Sequence, residues 1–356
     1  GKPVQLTTDV GPVIDAEAQQ NLLAHIERMK SAAKSFHEVK LAADVDPQNA
    51  TFVRPILFEL NDLSELKREV FGPVLHVVRY RAGELDSLID QINGKGYALT
   101  HGIHSRIDET VNHICNRIEA GNVYVNRNIV GAVVGVQPFG GHGLSGTGPK
   151  AGGPFYLQRL CRLNGWVQPE LTKIGEADEA VLKRIEAVLH TLPLNQQEKL
   201  AAAAALGQAR FRTLRNAEAV LPGPTGERNA ASWRAPKRVW LYGGDLAASF
   251  NALAQLAASG ITAVVSDQHP LAAYSGQLDG LLEVSATPAS SAISHVAALE
   301  PLPAELKQAL AESGGALIRI LPSENGLDVL QVFEEISCSI NTTAAGGNAS
   351  LMAMGD

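Results

Sequence analysis

The most restrictive feature of this sequence is a strand–helix–strand pattern in its second half. "RVWLYGG" (238–244) and "ITAVVSD" (261–267) are short apolar runs typical of buried strands. Between them, "DLAASFNALAQLAASG" (245–260) has the length and composition of a helix that ends at a glycine. This βαβ unit predicts a layered α/β fold with a Rossmann-like arrangement in this region.

The first half of the chain repeats the alternation of strands and helices. The predicted strands are "FVRPILFEL", "VLHVVRY" and "NVYVN". The predicted helices are "DAEAQQNLLAHIERMKSAA" with Asp15 as N-cap, the short "LSELKREV", "ELDSLIDQING" ending at Gly94, and "IDETVNHICNRIEAG" ending at Gly121. The α/β prediction therefore extends over the whole chain.

A change of composition after about Cys161 predicts a domain boundary near residue 165. The second domain, 166–330, begins with two alanine-rich helices, "EADEAVLKRIEAVLH" and "QQEKLAAAAALGQARFRTLRNAEAV", followed by a turn-rich linker, "LPGPTGERN". The helix "AELKQALAESGG" and the strand "ALIRILP" follow the βαβ unit. The terminal segment, 331–356, is rich in small residues and predicts an extended strand with a glycine-containing tail.

Charge and cysteine content exclude several classes of protein. The formal net charge is −7 and no block of basic residues stands out, which argues against nucleic-acid binding. No apolar run approaches the roughly 18 residues of a membrane span. Three cysteines, Cys115, Cys161 and Cys338, are too few and too scattered for a disulfide framework or a zinc site. These features predict a cytoplasmic protein, with attachment to the surface of the inner membrane as an open alternative for a longer parent.

Several local motifs have only a weak functional interpretation. "YGGD" (242–245) lies where a Rossmann fold binds a pyrophosphate, but the full glycine fingerprint is missing and Asp245 would repel a phosphate. This turn therefore predicts a scaffold that binds no nucleotide. His101 and His104 have no nearby carboxylate or cysteine to complete a metal site, and the three cysteines are interpreted as packing residues.

Two other segments are better candidates for a ligand site. "REVFGPV" (68–74) places Glu69 before a stiff Phe-Gly-Pro bend, where its carboxylate either binds a ribose diol or is simply solvated. "VQPFGGHGLSGTG" (136–148) contains five glycines beside one aromatic ring. A segment with so few side chains is typical either of a phosphate-binding loop or of a turn around a small substrate.

Together, "EVFGPV", "AGNVYVNRN" and "GVQPFGGHGLSGTGPKAGGP" resemble the aldehyde dehydrogenase superfamily, in particular its glutamate-semialdehyde dehydrogenase branch. "LPGPTGERN" and "INTTAAGGNASLM" extend the resemblance to the C-terminal part of bifunctional proline-utilisation proteins. The resemblance covers essentially the whole chain. It implies a partial aldehyde dehydrogenase catalytic domain over 1–165, then a Rossmann-like domain without an active site, and a terminal segment that returns to the catalytic domain.

The resemblance also implies roles for particular residues. Gly131 and Ala132 would hold the α-carboxylate of L-glutamate γ-semialdehyde through their backbone N–H groups, and Phe139 would pack against its aliphatic part. Glu69 would bind the nicotinamide ribose of NAD, with Phe71 beside the nicotinamide. An acidic residue is expected where His142 stands, so the electrostatics of this loop would differ from those of its relatives.

The same resemblance places the catalytic cysteine, the general base and the main dinucleotide-binding unit in an upstream half, with which this chain would act. FAD would belong only to a proline dehydrogenase domain absent from this chain. We expect the isolated chain to be inactive, the parent to be a homo-oligomer, and this region to bind no nucleic acid. Two alternatives stay open at this stage: a non-catalytic interaction module, and a dehydrogenase for a different aldehyde.

Overall fold

The computed structural model describes residues 1–41, 45, 50–134, 136–161, 165–288 and 292–343. They form two compact units, Gly1–Lys95 and Gly96–Asp356. In the described ranges, no helix is both long and apolar enough to cross a lipid bilayer.

Among its described residues, the first unit has two helices and a three-stranded sheet. Its elements are α1 (Ala16–Ala32), β1 (Ser35–Glu38), β2 (Ile56–Leu60), β3 (Val74–Val78) and α2 (Leu85–Gly94), with 3-10 turns at Leu63–Glu65 and Ala82–Glu84. β1 and β2 pair antiparallel, and β2 and β3 pair parallel. α1 begins as predicted, because the Asp15 carboxylate accepts a hydrogen bond from the Ala18 N–H (2.8 Å). Its apolar face joins the core formed with β2.

The prediction of a helix over "LSELKREV" was wrong for most of its length. Only Leu63–Glu65 is helical, as one 3-10 turn capped by the Asp62 carboxylate. The following residues have no regular structure until β3 begins at Val74. The Gly72-Pro73 pair explains this difference, since the residue before a proline disfavours helical geometry and so short a segment gains little by nucleating a helix.

The second unit contains most of the regular structure. Its elements are β4 (Tyr97–Ala98), β5 (Thr100–Ile103), α3 (Asp108–Arg117), β6 (Asn122–Val125), β7 (His142–Gly143), α4 (Tyr156–Arg159), α5 (Glu179–Leu189), α6 (Gln196–Phe211), β8 (Glu218–Leu221), β9 (Glu227–Arg234), β10 (Arg238–Tyr242), α7 (Leu246–Ala258), β11 (Thr262–Val265), β12 (Leu282–Val284), β13 (His295–Ala298), α8 (Ala304–Glu312), β14 (Arg319–Pro322) and β15 (Glu334–Asn341). Short 3-10 segments lie at Pro270–Tyr274 and Val329–Val332.

A parallel five-stranded sheet confirms the Rossmann-like expectation for the second half. Its order is β12-β11-β10-β13-β14, and every neighbouring pair is parallel. If β10 is counted as strand 1 and the later strands follow in chain order, the sheet has the order 3-2-1-4-5 of a doubly wound fold. The strand order reverses between β10 and β13, which is the switch point of such a sheet. The core between this sheet and helices α5, α6 and α7 contains apolar side chains such as Leu241, Phe250 and Leu253, all fully buried.

The switch point of this sheet contains the chain's own carboxylates. After β10, the Gly244 N–H donates to Oε1 of Glu300, which follows β13 (3.1 Å). Asp245 caps α7 by accepting from the Ala248 N–H (2.8 Å). A nucleotide phosphate would need these same donors. This arrangement favours the prediction that the Rossmann-like sheet binds no nucleotide, and nothing else in the structure tests that prediction.

A second, mixed sheet joins segments that are far apart in the sequence. Its order is β5-β6-β15-β9-β8, with β15 parallel to β6 and antiparallel to β9. The predicted boundary near residue 165 lies between strands of this sheet, and the two compact units divide after Lys95. The boundary itself stays a prediction. β15 supplies the strand predicted for the terminal segment and pairs with β6, Ser337 opposite Asn122. The tail beyond 343 lies outside the described residues.

Two local predictions in this region were wrong at their ends. The helix predicted over 196–220 stops at Phe211, and its last predicted residues form strand β8. Asn216 adopts a positive φ of 61°, a conformation that cannot continue a helix. "LPGPTGERN", predicted as a linker, contains the turn between the antiparallel strands β8 and β9. Its proline and glycine residues mark a hairpin rather than a connection between domains.

Candidate functional site

The predicted carboxylate anchor lies in the loop that follows β6. Gly131 adopts a φ of +72°, which strongly favours glycine. Its carbonyl accepts a hydrogen bond from the Tyr124 hydroxyl (3.1 Å), which fixes the peptide on one side. Among the described residues, the backbone N–H groups of Gly131 and Ala132 donate to no protein acceptor. Two adjacent free N–H groups in a fixed loop can bind an anion.

A hydrogen-bond network connects this loop to β9. The Gln137 side chain accepts from the Val133 N–H (3.0 Å) and donates to Oε1 of Glu227 (2.7 Å). Glu227 also pairs with Arg127 (2.7 Å), whose guanidinium lies 5.0 Å from the centre of the Tyr124 ring. Gln137 is buried, and the side chains of Arg127 and Glu227 are 16% and 17% exposed, so solvent screens this network only in part. The loop is therefore held from both ends.

The glycine run surrounds a buried lysine. Phe139 and Ala151 exchange two backbone hydrogen bonds (3.0 Å each), which closes the run into a loop. Lys150 is 3% exposed, and its Nζ donates to Oδ1 of Asn122 (3.0 Å) and to the carbonyl of Gly140. Burial lowers the pKa of Lys150 to about 8. The glycine run thus wraps around protein groups, and Phe139 stays half-buried at its start.

His142, where an acidic residue was expected, faces Glu334 across 3.8 Å. Burial, with smaller contributions from Arg234 and Lys150, lowers the pKa of His142 to about 4. The ring is therefore neutral at neutral pH, and it does not replace the expected negative charge with a positive one.

The predicted cofactor residues lie together in the first unit. Glu69 and Phe71 line a cleft of about 480 Å³ whose wall includes residues of α1 such as Leu22 and His25. The Phe71 side chain is 89% exposed, and Glu69 is also exposed. The Glu69 carboxylate makes no hydrogen bond within the described part of the chain. An exposed ring beside an unpaired carboxylate is free to contact a ligand.

Sequence reasoning missed a pair of histidines at the edge of this cleft. Arg28 donates to Nδ1 of His25 (3.1 Å), and the Nε2 atoms of His25 and His76 are 2.9 Å apart. Because arginine only donates, Nδ1 of His25 must accept, so its proton lies on Nε2 and is donated to His76. Burial, and then the charges of His76, Arg28 and Arg68, lower the pKa of His25 to about 4.

This histidine pair predicts a loss of stability in acid. Below the unfolded pKa of 6.5, the unfolded chain takes up a proton that folded His25 does not accept until about pH 4. Stability of the first unit should therefore fall as the pH drops from 6.5 to 4, with no contribution from this group above 6.5. Hydrogen exchange of the α1 amides, corrected for intrinsic rates, should show this loss.

The matched control is the double variant His25→Asn, His76→Asn, which should lose the pH dependence in α1 but keep it elsewhere. An NMR titration of the wild-type chain gives a direct check. A His25 midpoint near 6.5 would contradict the lowered pKa and the expected loss of stability in acid.

The three cysteines and the pair His101 and His104 are the other chemically reactive residues that the sequence singled out. Cys161 is exposed, while Cys115 and Cys338 are half-buried and interact with each other. The hydrogen bond with Cys115, and then burial, raise the pKa of the Cys338 thiol, the opposite of what a nucleophile needs. In the described ranges, no group of three or more histidine, cysteine or acidic residues is arranged to hold a metal ion.

Residues 1–164 match the aldehyde dehydrogenase family. The bifunctional protein PutA of Rhizobium meliloti is 41% identical over 99% of this chain and 29% of its own length. The 1-pyrroline-5-carboxylate dehydrogenase of Geobacillus kaustophilus is 34% identical over 44% of this chain and 30% of its own length. The structure of proline utilization A (PutA) from Corynebacterium freiburgense superposes with a TM-score of 0.58 at 21% identity, covering 86% of this chain and 29% of that one.

These similarities confirm the resemblance and the α/β fold. The identity to the Rhizobium meliloti protein extends over both compact units. The Corynebacterium freiburgense structure, at its lower identity, supports the fold alone. The chain spans less than a third of the length of each of these relatives.

Proposed function

Since residues 1–164 are related to the aldehyde dehydrogenases and the whole chain is homologous to bifunctional PutA proteins, we propose that it forms part of an NAD-dependent dehydrogenase. The proposed reaction is oxidation of L-glutamate γ-semialdehyde, the open form of 1-pyrroline-5-carboxylate, to glutamate during proline catabolism. The name of the Geobacillus kaustophilus relative, 1-pyrroline-5-carboxylate dehydrogenase, supports this substrate.

One observation carries the proposal: the paired N–H groups of Gly131 and Ala132 in a loop held by Tyr124 and Gln137. The substrate differs from simple aldehydes by its α-carboxylate, which needs donors in a fixed position. Backbone N–H groups provide them without the rotational freedom of a charged side chain. Phe139, after the same loop, would contact the aliphatic part of the substrate.

Glu69 and Phe71 are proposed to hold the cofactor. The exposed Glu69 carboxylate has the acceptor atoms that a ribose diol requires, and the exposed Phe71 ring offers a flat apolar surface to a nicotinamide. When bound, NAD⁺ supplies the acceptor for the hydride that leaves the substrate carbon. The role of these residues is to orient the ring and to exclude water from one of its faces.

We do not assign the nucleophile to this chain. The reaction class needs a thiolate that attacks the aldehyde and a base that activates water for thioester hydrolysis. The hydrogen bond between Cys115 and Cys338 lowers the pKa of the first thiol and raises that of the second, so these two cysteines are engaged with each other, and Cys161 is exposed. We propose that both groups come from another part of the parent protein, whose proline dehydrogenase domain would hold FAD, and that the isolated chain is inactive. A homo-oligomeric parent stays a prediction.

The proposal is tested by steady-state NADH formation with the parent protein. Glutamate semialdehyde should be oxidised with a kcat/KM at least a hundredfold above that of propanal, which lacks the α-carboxylate. Equal kcat/KM values for the two aldehydes would contradict the proposed carboxylate anchor. A higher kcat/KM for propanal would indicate a dehydrogenase for a different aldehyde. The isolated chain should give no NADH with either substrate.

A further inference from the structure

A second cavity, of about 300 Å³, lies within the second unit. His295 and Arg319, the first residues of β13 and β14, form one side of it. On another side are Arg234, the last residue of β9, and Glu334, the first residue of β15, which stand opposite each other in the sheet register. The cavity is therefore at the amino ends of the parallel strands, at the opposite edge from the Gly244 turn.

Arg319 is held in one orientation by His295. Its Nη1 lies 3.2 Å from Nε2 of His295, and the other ring nitrogen, Nδ1, lies 2.7 Å from Oγ of Ser294. Since arginine only donates, Nε2 accepts, and the His295 proton lies on Nδ1. Burial, and then the charge of Arg319, lower the pKa of His295 to about 3, so the ring stays a neutral acceptor. The guanidinium plane is thus fixed by a buried partner.

The remaining edge of this guanidinium faces no acceptor. Nε and Nη2 of Arg319 are buried and have no hydrogen-bond partner within the described ranges. These two N–H groups lie side by side on one edge of the planar group, the spacing that matches two oxygens of a carboxylate or phosphate. Arg234 has a similar free group: its Nη2 donates to the Ile118 carbonyl (2.7 Å), while its buried Nη1 has no partner.

More cations than carboxylates line the cavity, which favours an anion. Besides the two arginines, the charged lining residues are Lys150, Lys237 and Arg238 against Glu119, Glu334 and Glu335. Arg159 also lies close enough to lower the pKa of Arg319. Glu334 is the acidic side chain beside both arginines, yet no ion pair within 4.0 Å joins it to either of them in the described part of the chain. Burial raises the pKa of Glu334, as expected for a carboxylate without close donors. Unpaired N–H groups on buried guanidinium ions are costly, and an oxyanion would satisfy them.

We propose that this cavity binds a small oxyanion, a carboxylate or inorganic phosphate, through the Nε and Nη2 groups of Arg319, with Nη1 of Arg234 as a further donor. The site is independent of the proposed dehydrogenase reaction, since none of Glu69, Phe71, Gly131, Ala132 and Phe139 lines it.

Isothermal titration calorimetry of the chain, at constant ionic strength, tests the proposal with two probes, succinate and inorganic phosphate. One of them should bind saturably with a stoichiometry of one. Tight binding of succinate but not phosphate identifies a carboxylate site, and the reverse identifies a phosphate site. Arg319→Gln should weaken binding at least tenfold. Glu334→Gln should tighten it several-fold, because a competing negative charge is removed.

The opposite directions of these two effects separate ligand binding from misfolding. Arg319→Lys keeps the charge but loses the paired edge, so it should weaken binding nearly as much as Arg319→Gln. Arg210→Gln, on α6 and paired with Glu179 (2.8 Å), is the matched arginine control and should leave affinity unchanged. Absence of saturable binding by both probes would overturn the proposal. Wild-type affinity in Arg319→Gln, or unchanged affinity in Glu334→Gln, would also overturn it.

Discussion

Substitution of Gly131 by alanine should lower the kcat/KM of the parent enzyme for glutamate semialdehyde at least tenfold, while alanine at Gly152 leaves it unchanged. The two glycines are matched: their φ angles are +72° and +73°, and an added Cβ would meet nothing within 4 Å at either position. Alanine at positive φ costs roughly 1–2 kcal/mol. In Gly131→Ala, a rotation of the peptide at residue 131 would relieve this strain. The rotation would move an N–H group that we propose to donate to the substrate carboxylate.

The expected size follows from one lost hydrogen bond to a charged group, about 1.5–3 kcal/mol. The loss should appear with glutamate semialdehyde and not with propanal, since propanal has no carboxylate. The measurement is therefore four kcat/KM values, two variants with two aldehydes, beside the wild type. Equal losses for both aldehydes would mean that the loop acts only through stability, and an equal loss in Gly152→Ala would mean the same.

The fold was predictable where the signals are local. Asp15 caps α1 through its own side chain, and α2 ends at Gly94, as the sequence predicts. The βαβ unit around 238–267 forms as expected because apolar runs and a glycine stop define each element. Such signals lie within a few residues of the structure that they determine.

The supports of the candidate site were not predictable, because they depend on pairs distant in sequence. Gln137 and Glu227 are 90 residues apart, and Lys150 and Glu335 are 185 apart. Glu227 lies in a stretch that predicts a linker, and only its pairing across the mixed sheet brings it to the anchor loop. One signal was available in the sequence. Glu227 directly follows a tight turn and begins a strand, where the side chain must point to one face of the sheet.

Lys150→Met should destabilise the second unit by about 3 kcal/mol, the largest stability effect expected in this chain. Methionine keeps the length of the side chain but donates nothing to Asn122 or to the Gly140 carbonyl. It also removes the positive charge beside Glu335, whose carboxylate accepts from the Lys150 N–H (2.7 Å). Urea denaturation measures the change. Lys237→Met, at a side chain that is 88% exposed, should cost less than about 0.5 kcal/mol.

The pH dependence separates the buried ammonium from a simple packing defect. Folded Lys150 has its pKa lowered from 10.5 to about 8 by burial. Below pH 8 both states hold the proton, whereas between pH 8 and 10.5 the unfolded state binds more, so this group makes stability rise with pH. Neutral lysine still donates to Asn122 and Gly140, so the stability difference between wild type and Lys150→Met should be larger at pH 9.5 than at pH 7.5. A difference that stays constant or shrinks over this range would show that Lys150 acts as a solvated charge, and the proposed organisation of the glycine run around it would have to be abandoned.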